Sequence, residues 1–185
     1  MNIDVNIPDG VQGDWAVETF TVQDRELSEM LSLMKDGRGV PAGTYKRLTR
    51  RGSVVMSNTP DEIRDFYYFV RRASGRVLVN GLGLGVVVKA LLDKDDITHI
   101  TVIEKDPDVI ALVASHLNDL RLEIICADAL KYKPQSQYDA VWHDIWDGIC
   151  SDNLPEMTKL HRKYAKRTPY QASWCRTECQ RSRWR

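Results

Sequence analysis

The sequence predicts an α/β fold: a Rossmann-like parallel sheet with flanking helices, preceded by a small N-terminal region of strand, hairpin and helix. Two observations predict this fold. From about residue 75 onward, apolar runs typical of buried parallel strands alternate with segments of helical periodicity. Glycine or acidic residues follow several of those strands directly, at the edge where parallel sheets hold their ligands. The right-handed crossover rule then limits the order of the strands.

Residues 76–92 predict the first parallel strand, a glycine turn and the start of a helix. The strand is the short apolar run of residues 77–79, and Gly81, Gly83 and Gly85 follow it. Without a Cβ, these residues accept backbone angles closed to others and let a ligand approach the main chain. Free amides at the start of the next helix point toward acceptor atoms. The segment therefore predicts a loop that binds a nucleotide-like cofactor, and a purely structural tight turn is the alternative.

The spacing of these glycines narrows the kind of ligand. A dinucleotide fingerprint needs a glycine at position 86, where this chain has Val86. The pattern is G-x-G-x-G, which disfavours a pyrophosphate ligand and suits a ligand that meets the loop with a smaller group.

Length and charge exclude several classes of protein. The chain has 185 residues, enough for one domain with a small appendage, and its 26 Lys and Arg residues equal its 26 Asp and Glu residues. This balance disfavours nucleic acid and membranes as partners, so we expect a small-molecule substrate. No apolar run approaches the roughly 20 residues that span a bilayer, and the acidic N-terminus does not resemble a signal peptide, so we expect a cytoplasmic protein. The four cysteines form no C-x-x-C pair, and no metal site is expected.

We divide the chain into an N-terminal extension (1–58), a Rossmann-like domain (59–167) and a helical tail (168–185). The extension is predicted to hold an edge strand at 15–22, a helix at 25–35 and a hairpin between 45 and 56. The hairpin carries a cluster of basic residues, which either faces solvent or meets an acidic substrate; its members are Lys46, Arg47, Arg50 and Arg51.

A helix is predicted from Pro60 to Ala73, directly before the first parallel strand. Thr59 precedes Pro60 and Glu62 lies three residues after Thr59, which together form a capping-box pattern.

The second and third parallel strands are predicted at 99–104 and 122–126, and an acid marks the end of each. Glu104 lies about 19 residues after Gly85, where the second strand of such a unit presents a carboxylate to the two hydroxyls of a ribose. Asp128 stands between Ala127 and Ala129. An acid between small residues can accept a hydrogen bond from an exocyclic amine and leave room for a flat ring.

The fourth strand is predicted at 138–144 and ends in His143 and Asp144. A helix near 153–166 follows it. The remaining tail shows no pattern for a fifth strand, so we expect a short sheet. The tail is predicted to form an Arg-rich helix with Trp174, Cys175 and Trp184 packed inward.

The motifs from about residue 45 to 165 resemble a class I S-adenosylmethionine-dependent methyltransferase domain, and more narrowly its spermidine synthase-like branch, shortened at the C-terminus. The motifs that carry this resemblance are Val-Leu-Val-Asn-Gly-Leu-Gly-Leu-Gly, Val-Ile-Glu-Lys-Asp-Pro, Cys-Ala-Asp-Ala and Tyr-Asp-Ala-Val-Trp-His-Asp.

The resemblance implies S-adenosylmethionine as cofactor. It implies that the glycines lie against the methionine part of the cofactor, that Glu104 binds the ribose and that Asp128 accepts a hydrogen bond from the adenine amine. The full set of cofactor-binding residues it implies is Asn80, Gly81, Leu82, Gly83, Gly85, Glu104, Lys105, Ala127, Asp128 and Ala129.

The resemblance also places Asp144 at the reacting centre. Asp144 or His143 would orient or deprotonate the acceptor, with Trp146 as an aromatic wall. The alternatives are that Asp144 caps the next helix and that His143 is packed at a strand end.

Three functions stay open at this point: a methyltransferase with an unknown, small acceptor, an aminopropyltransferase of the spermidine synthase type, or a binding module without turnover. A short sheet has an exposed edge, so a homodimer that covers it is a further expectation.

Overall fold

The computed structural model describes residues 3–23 and 40–182, which form two β-sheets with helices packed against the second. The first sheet is antiparallel, with strand order β1–β2–β3–β4. Its strands are Gly10–Gln12 (β1), Trp15–Val22 (β2), Gly43–Arg50 (β3) and Ser53–Ser57 (β4). The strand predicted at 15–22 is therefore present, but the prediction that it is an edge strand is wrong, because β2 pairs with β1 on one side and β3 on the other.

The hairpin of β3 and β4 turns where the sequence predicts. Arg51 and Gly52 form its turn with φ of 50° and 78°. Positive φ at both central residues gives the twist that two antiparallel strands need across a two-residue loop.

The second sheet is parallel and confirms the predicted Rossmann-like fold. Its strand order is β7–β6–β5–β8–β9, and every neighbouring pair is parallel. Its strands are Gly75–Asn80 (β5), Ile97–Glu104 (β6), Leu122–Cys126 (β7), Ala140–His143 (β8) and Gln171–Ser173 (β9). Because the chain order changes direction between β5 and β8, a crevice for a ligand is expected at the carboxyl ends of these strands.

The fifth strand of this sheet corrects the prediction that the tail contains none. Gln171–Ser173 pairs in parallel with residues 141–143 of β8. A three-residue strand carries too few positions to show a period, so its pairing with β8 is what defines it.

Within the described ranges, five helices accompany the sheets, together with two short 3₁₀ turns at Ala114–His116 and Ser151–Asn153. The helices are Pro60–Arg72 (α1), Val86–Leu92 (α2), Pro107–Val113 (α3), Leu154–Tyr164 (α4) and Arg176–Ser182 (α5). The helix predicted at 25–35, and Trp184, lie outside the described residues. No helix in the described ranges has the length and apolar character needed to cross a bilayer.

Both faces of the parallel sheet are apolar and buried. Val77 and Val79 pack into a cluster with α1 and α2, whereas Leu78 packs with Leu160 and Tyr164 of α4 on the other face. Burial on both faces explains the continuous apolar run that the sequence shows here.

The start of α1 departs from the predicted capping box. Thr59 stands at the N-cap position, but its side chain makes no capping hydrogen bond. The carboxylate of Glu62 instead accepts from the backbone N–H of Ser57 at 2.7 Å and from the Ser57 hydroxyl at 2.8 Å. Glu62 thus fixes the end of β4 to the start of α1.

Candidate active site

A cavity of about 220 Å³ lies between the carboxyl ends of the parallel strands and the N-terminal sheet. The predicted site residues that line it are Gly81, Leu82, Gly83, Glu104, Lys105, Asp128, Ala129 and Asp144. The cavity thus collects residues from four separate strand ends of the parallel sheet.

Backbone hydrogen bonds hold these strand ends in register. Gly81 N–H donates to the Ile103 carbonyl, Ala127 N–H donates to the Glu104 carbonyl, and Asp144 N–H donates to the Asn80 carbonyl, each at 2.8 Å. The ladder therefore continues past the ends of the strands. The tips that carry Gly81, Glu104, Asp128 and Asp144 are fixed relative to one another.

Glu104 connects two of the loops that border the cavity. The residue is buried, and its carboxylate accepts from the Leu82 backbone N–H and from the Asp106 backbone N–H, each at 2.9 Å. An ionised carboxylate has about four acceptor positions, so two backbone bonds leave capacity for ligand hydroxyls.

The glycines of the turn share a positive φ but have different neighbours. Gly81, Gly83 and Gly85 all have positive φ, of 98°, 51° and 70°. A Cβ on Gly81 would collide with the backbone carbonyl oxygen of Asp144, so this residue allows two loops to meet. Gly85 is the N-cap of α2 and packs against Leu117, and it does not line the cavity. The prediction that all three glycines meet a ligand is therefore narrowed to Gly81 and Gly83.

Met56 of β4 lies against the glycine turn. Its thioether sulfur accepts from the Leu84 backbone N–H at 3.0 Å, and a Cβ on Gly83 would collide with the same sulfur. Methionine is unbranched and has several rotatable bonds, so this contact is adaptable. The N-terminal sheet thus supplies one wall of the turn.

Asp128 is half-buried at the end of the third strand. Its carboxylate accepts from the Leu130 backbone N–H at 2.8 Å and lies 3.5 Å from the Lys131 ammonium. Burial acts to raise the pKa of Asp128, but the Leu130 hydrogen bond and the Lys131 charge outweigh it and hold the pKa below its ordinary value. Asp128 is consequently an ionised acceptor at neutral pH.

Asp144 is the cavity acid whose protonation is most perturbed. Burial raises its pKa to about 7, the nearby carboxylates of Glu62 and Asp65 act in the same direction, and a hydrogen bond from the Trp142 indole opposes them. That indole N–H donates to the Asp144 carboxylate at 3.4 Å. A carboxylate with a pKa near 7 can accept a proton from a substrate and release it again at neutral pH.

His143 and Asn80 do not reach the cavity. Both are fully buried, and the Asn80 amide donates to His143 Nδ1 at 2.8 Å, which leaves the His143 proton on Nε2, where it donates to Gln171 at 3.1 Å. Burial lowers the pKa of His143 to about 3, so its ring is neutral. The Tyr164 hydroxyl donates to Asn80 at 3.5 Å.

The position of His143 corrects the prediction of a catalytic role, and that of Asn80 corrects the prediction of a cofactor contact. Residues alternate between sheet faces along a strand, and these two side chains point toward α4. Ala127 likewise does not line the cavity. Its backbone N–H instead continues the hydrogen-bond ladder between β7 and β6.

The basic cluster of the hairpin is ion-paired with acids of the same protein. The pairs are Lys46–Asp9 at 2.6 Å, Arg47–Glu18 at 2.8 Å, Arg51–Asp14 at 2.7 Å and Arg50–Asp147 at 3.8 Å. Of these cations, Arg50 lines the cavity.

Several lining residues were not recognised as site residues from the sequence. They come from the N-terminal sheet, from the starts of α1 and α4 and from the loop after β9: Trp15, Leu48, Met56, Glu62, Glu156 and Trp174. Trp174 follows a strand end directly, which is the signal that would have found it had the fifth strand been recognised. Contacts from the N-terminal sheet have no such signal, because they depend on how the two sheets pack.

No protein-family model and no curated protein matches the chain. Solved structures do match it. They include DhpI in complex with S-adenosylhomocysteine (20% identity, TM-score 0.45, 56% of this chain and 49% of that chain). They also include the N-methyltransferase NodS from Bradyrhizobium japonicum WM9 in complex with S-adenosyl-L-homocysteine (15% identity, TM-score 0.45, 57% of this chain and 56% of that chain). Spermidine synthase in complex with the transition-state analogue AdoDATO is a third (17% identity, TM-score 0.45, 73% of this chain and 46% of that chain). The chain thus spans about half the length of each of these three proteins.

Proposed function

We propose that the protein is an S-adenosylmethionine-dependent methyltransferase that acts on a small acceptor. The observation that carries this proposal is the meeting of three strand ends at one cavity. The glycine turn, Glu104 and Asp128 all line it. The turn would let a ligand come close to the backbone, the Glu104 carboxylate offers two oxygens as hydrogen-bond acceptors, and Asp128 offers a second carboxylate.

The residues present fit the cofactor. Glu104 would accept from the two ribose hydroxyls, and Asp128 would accept from the adenine amine beside the small side chain of Ala129. Gly81 and Gly83 would lie against the methionine part. When bound, the cofactor supplies a methyl group on a sulfonium, a leaving group that needs no further activation.

The chain itself supplies orientation, exclusion of water and a place for a proton. The cavity is closed on one side by the apolar side chains of Leu48 and Val55 from the N-terminal sheet. Holding two reactants in line can account for much of the rate of such a transfer. Asp144, with its pKa near 7, is the group in this cavity that is suited to take a proton from the acceptor.

Calorimetry with four ligands tests the proposal. The ligands are S-adenosylmethionine, S-adenosylhomocysteine, decarboxylated S-adenosylmethionine and NAD. We expect saturable binding of the first two and no binding of NAD. A preference for the decarboxylated form would favour aminopropyl transfer, and binding without turnover in a cell extract would favour a module that only binds. Binding of none of the adenosine ligands would contradict the proposal.

A cytoplasmic location and a homodimer that covers the edge of the sheet stay predictions from the sequence. Gel filtration with light scattering checks the dimer directly.

A further inference from the structure

A lysine of α4 is bonded to the loop that carries Asp128 and Ala129. The Lys163 ammonium donates to the Ala129 backbone carbonyl at 2.7 Å and to the Tyr132 backbone carbonyl at 3.0 Å. Lys163 is partly buried, and it does not line the cavity. Its contact with the site is therefore indirect and runs through the backbone of the loop after β7.

Asp128 begins a single closed turn of this loop. The backbone N–H groups of Lys131 and Tyr132 donate to the Asp128 carbonyl at 2.9 and 2.7 Å. The Asp128 carboxylate accepts from the Leu130 backbone N–H at 2.8 Å, as the side chain of an N-cap residue does. The carbonyls of such a turn point toward its C-terminal end, where a cation is favourable. Lys163 supplies that cation.

One peptide group connects Lys163 to the Asp128 carboxylate. The carbonyl of Ala129 and the N–H of Leu130 belong to the same planar unit. The carbonyl accepts from Lys163, and the N–H donates to Asp128. An ammonium on the carbonyl fixes the plane of this peptide and polarises it, which strengthens the donor at the other end. The orientation of the Asp128 carboxylate therefore depends on Lys163.

Apolar packing alone does not set this orientation. Leu130 and Tyr132 pack against a cluster that includes Leu160 and Tyr164. Such contacts are non-directional, so they hold the turn against α4 without fixing the rotation of its peptide planes. The two hydrogen bonds from Lys163 are directional and supply that constraint.

The charges of Lys163 and Asp128 also act on each other. Burial lowers the pKa of Lys163, the charge of Lys159 acts in the same direction, and the Asp128 carboxylate opposes both. Asp128 has a second cation, Lys131, at 3.5 Å, but the Lys131 side chain is 86% exposed and its attraction is screened by solvent. Of the two lysines, Lys163 is the one that hydrogen bonds hold in place.

We propose that Lys163 is a positioning residue that makes the site selective for an amino group on the purine ring. It acts through the peptide between Ala129 and Leu130 on the Asp128 carboxylate, and that carboxylate is the group that meets the ring. The inference rests on the proposed function, because that function places the adenine amine at Asp128.

Two ligands that differ in one group test this role: S-adenosylhomocysteine and its desamino analogue, in which hydrogen replaces the adenine amine. Calorimetry with the full chain gives the ratio of their dissociation constants. We expect the wild type to bind S-adenosylhomocysteine at least about tenfold more tightly, as a charge-assisted hydrogen bond implies. In Lys163→Met this preference should fall at least about fivefold, while affinity for the desamino analogue stays within about twofold.

A double-mutant cycle shows whether Lys163 acts through Asp128. Asp128→Asn removes the charge that the amine meets and should itself lower the preference. Adding Lys163→Met to Asp128→Asn should then change the preference by less than about twofold, because both changes affect one contact. Lys159→Met, at an exposed lysine one turn earlier on α4, is the matched control and should keep the preference within about twofold of the wild type.

Binding of the desamino analogue shows that each variant is folded. If Lys163→Met does not fold, Lys163→Gln takes its place with the same expectation, since its shorter, uncharged amide cannot reach both carbonyls. An unchanged preference in the Lys163 variant, an equal loss of affinity for both ligands, or a full further fall when it is added to Asp128→Asn would overturn the inference.

Failure of this inference differs from failure of the proposed function. If neither ligand binds the wild type, the proposed function fails. If the wild type prefers S-adenosylhomocysteine and the Lys163 variant keeps that preference, the positioning role of Lys163 alone is wrong.

Discussion

The Glu104 carboxylate accepts a hydrogen bond from the Leu82 backbone N–H at 2.9 Å, which joins the end of the second parallel strand to the glycine turn after the first. Its other oxygen accepts from the Asp106 backbone N–H at the start of α3. One side chain therefore sets the relative position of two loops that border the cavity.

Replacing Glu104 should weaken nucleoside binding. Glu104→Gln keeps the size of the side chain but removes its charge, and one of its two ends becomes a donor that faces a backbone N–H. Charge-assisted hydrogen bonds contribute roughly 1.5–3 kcal/mol, so affinity for S-adenosylhomocysteine, measured by calorimetry, should fall by at least about tenfold. Glu123→Gln, at an exposed acid on the neighbouring strand β7, is the matched control. Unchanged affinity in Glu104→Gln would remove Glu104 from the site.

The glycines of the turn should differ in their tolerance of alanine. Gly81→Ala places a methyl group against a backbone carbonyl that cannot move, whereas Gly83→Ala meets the flexible end of Met56. Both positions have positive φ, which adds strain in either variant. We expect thermal melting to show the larger loss of stability in Gly81→Ala. Gly148→Ala is the control, because no atom lies within 4 Å of the added Cβ.

Adding Met56→Ala should partly rescue Gly83→Ala and should not rescue Gly81→Ala. Equal rescue of the two would mean that the contact with the Met56 sulfur does not limit the turn.

Asp144 should control how stability depends on pH. Its folded pKa of about 7 lies above its ordinary value of 3.8, so between these pH values the folded state holds a proton that the unfolded state has released. Stability is therefore lost as pH rises through this window. Asp144→Asn removes the effect, and the melting temperature of the variant relative to the wild type should increase from pH 5 to pH 8. A constant difference across this range would contradict a raised pKa.

Under the proposed function, the ionisation of Asp144 should also determine how the methyl-transfer rate depends on pH. The methyl-transfer rate should rise with pH through about 7, as Asp144 becomes able to accept a proton, and Asp144→Asn should be slower and lack this rise. Glu62 and Asp65 both raise the pKa of Asp144, so Glu62→Gln should shift the rise to lower pH. A profile that is the same in wild type and Asp144→Asn would exclude Asp144 as the base.

His143 should behave as a structural residue. His143→Ala leaves the Asn80 amide and the Gln171 side chain without their buried partner, which should cost about 2–4 kcal/mol in the free energy of unfolding. Denaturant unfolding measures this loss, and His116→Ala, at an exposed histidine, is the control. Affinity for S-adenosylhomocysteine should stay within about twofold. A large loss of turnover with unchanged stability would restore a catalytic role.

The parallel sheet could be predicted from the sequence because its signals are local. The apolar run of residues 77–79, the glycines that follow it and the acids at 104 and 128 each report on one strand and its end. The pairing of neighbouring strands then brings those ends together without further information.

What the sequence did not show depends on contacts between distant segments. The direction of the His143 and Asn80 side chains follows from which of two buried faces each residue meets, and a run that is apolar on both faces gives no signal for this choice. The Met56 contact with the glycine turn and the strand at 171–173 depend on the packing of other elements in the same way.

A crystal structure with S-adenosylhomocysteine bound tests most directly whether the three strand ends hold one nucleoside. The proposal predicts both ribose hydroxyls within about 3 Å of the Glu104 carboxylate and the adenine amine within the same distance of Asp128. A ligand bound elsewhere, or an adenosine that contacts neither carboxylate, would contradict it.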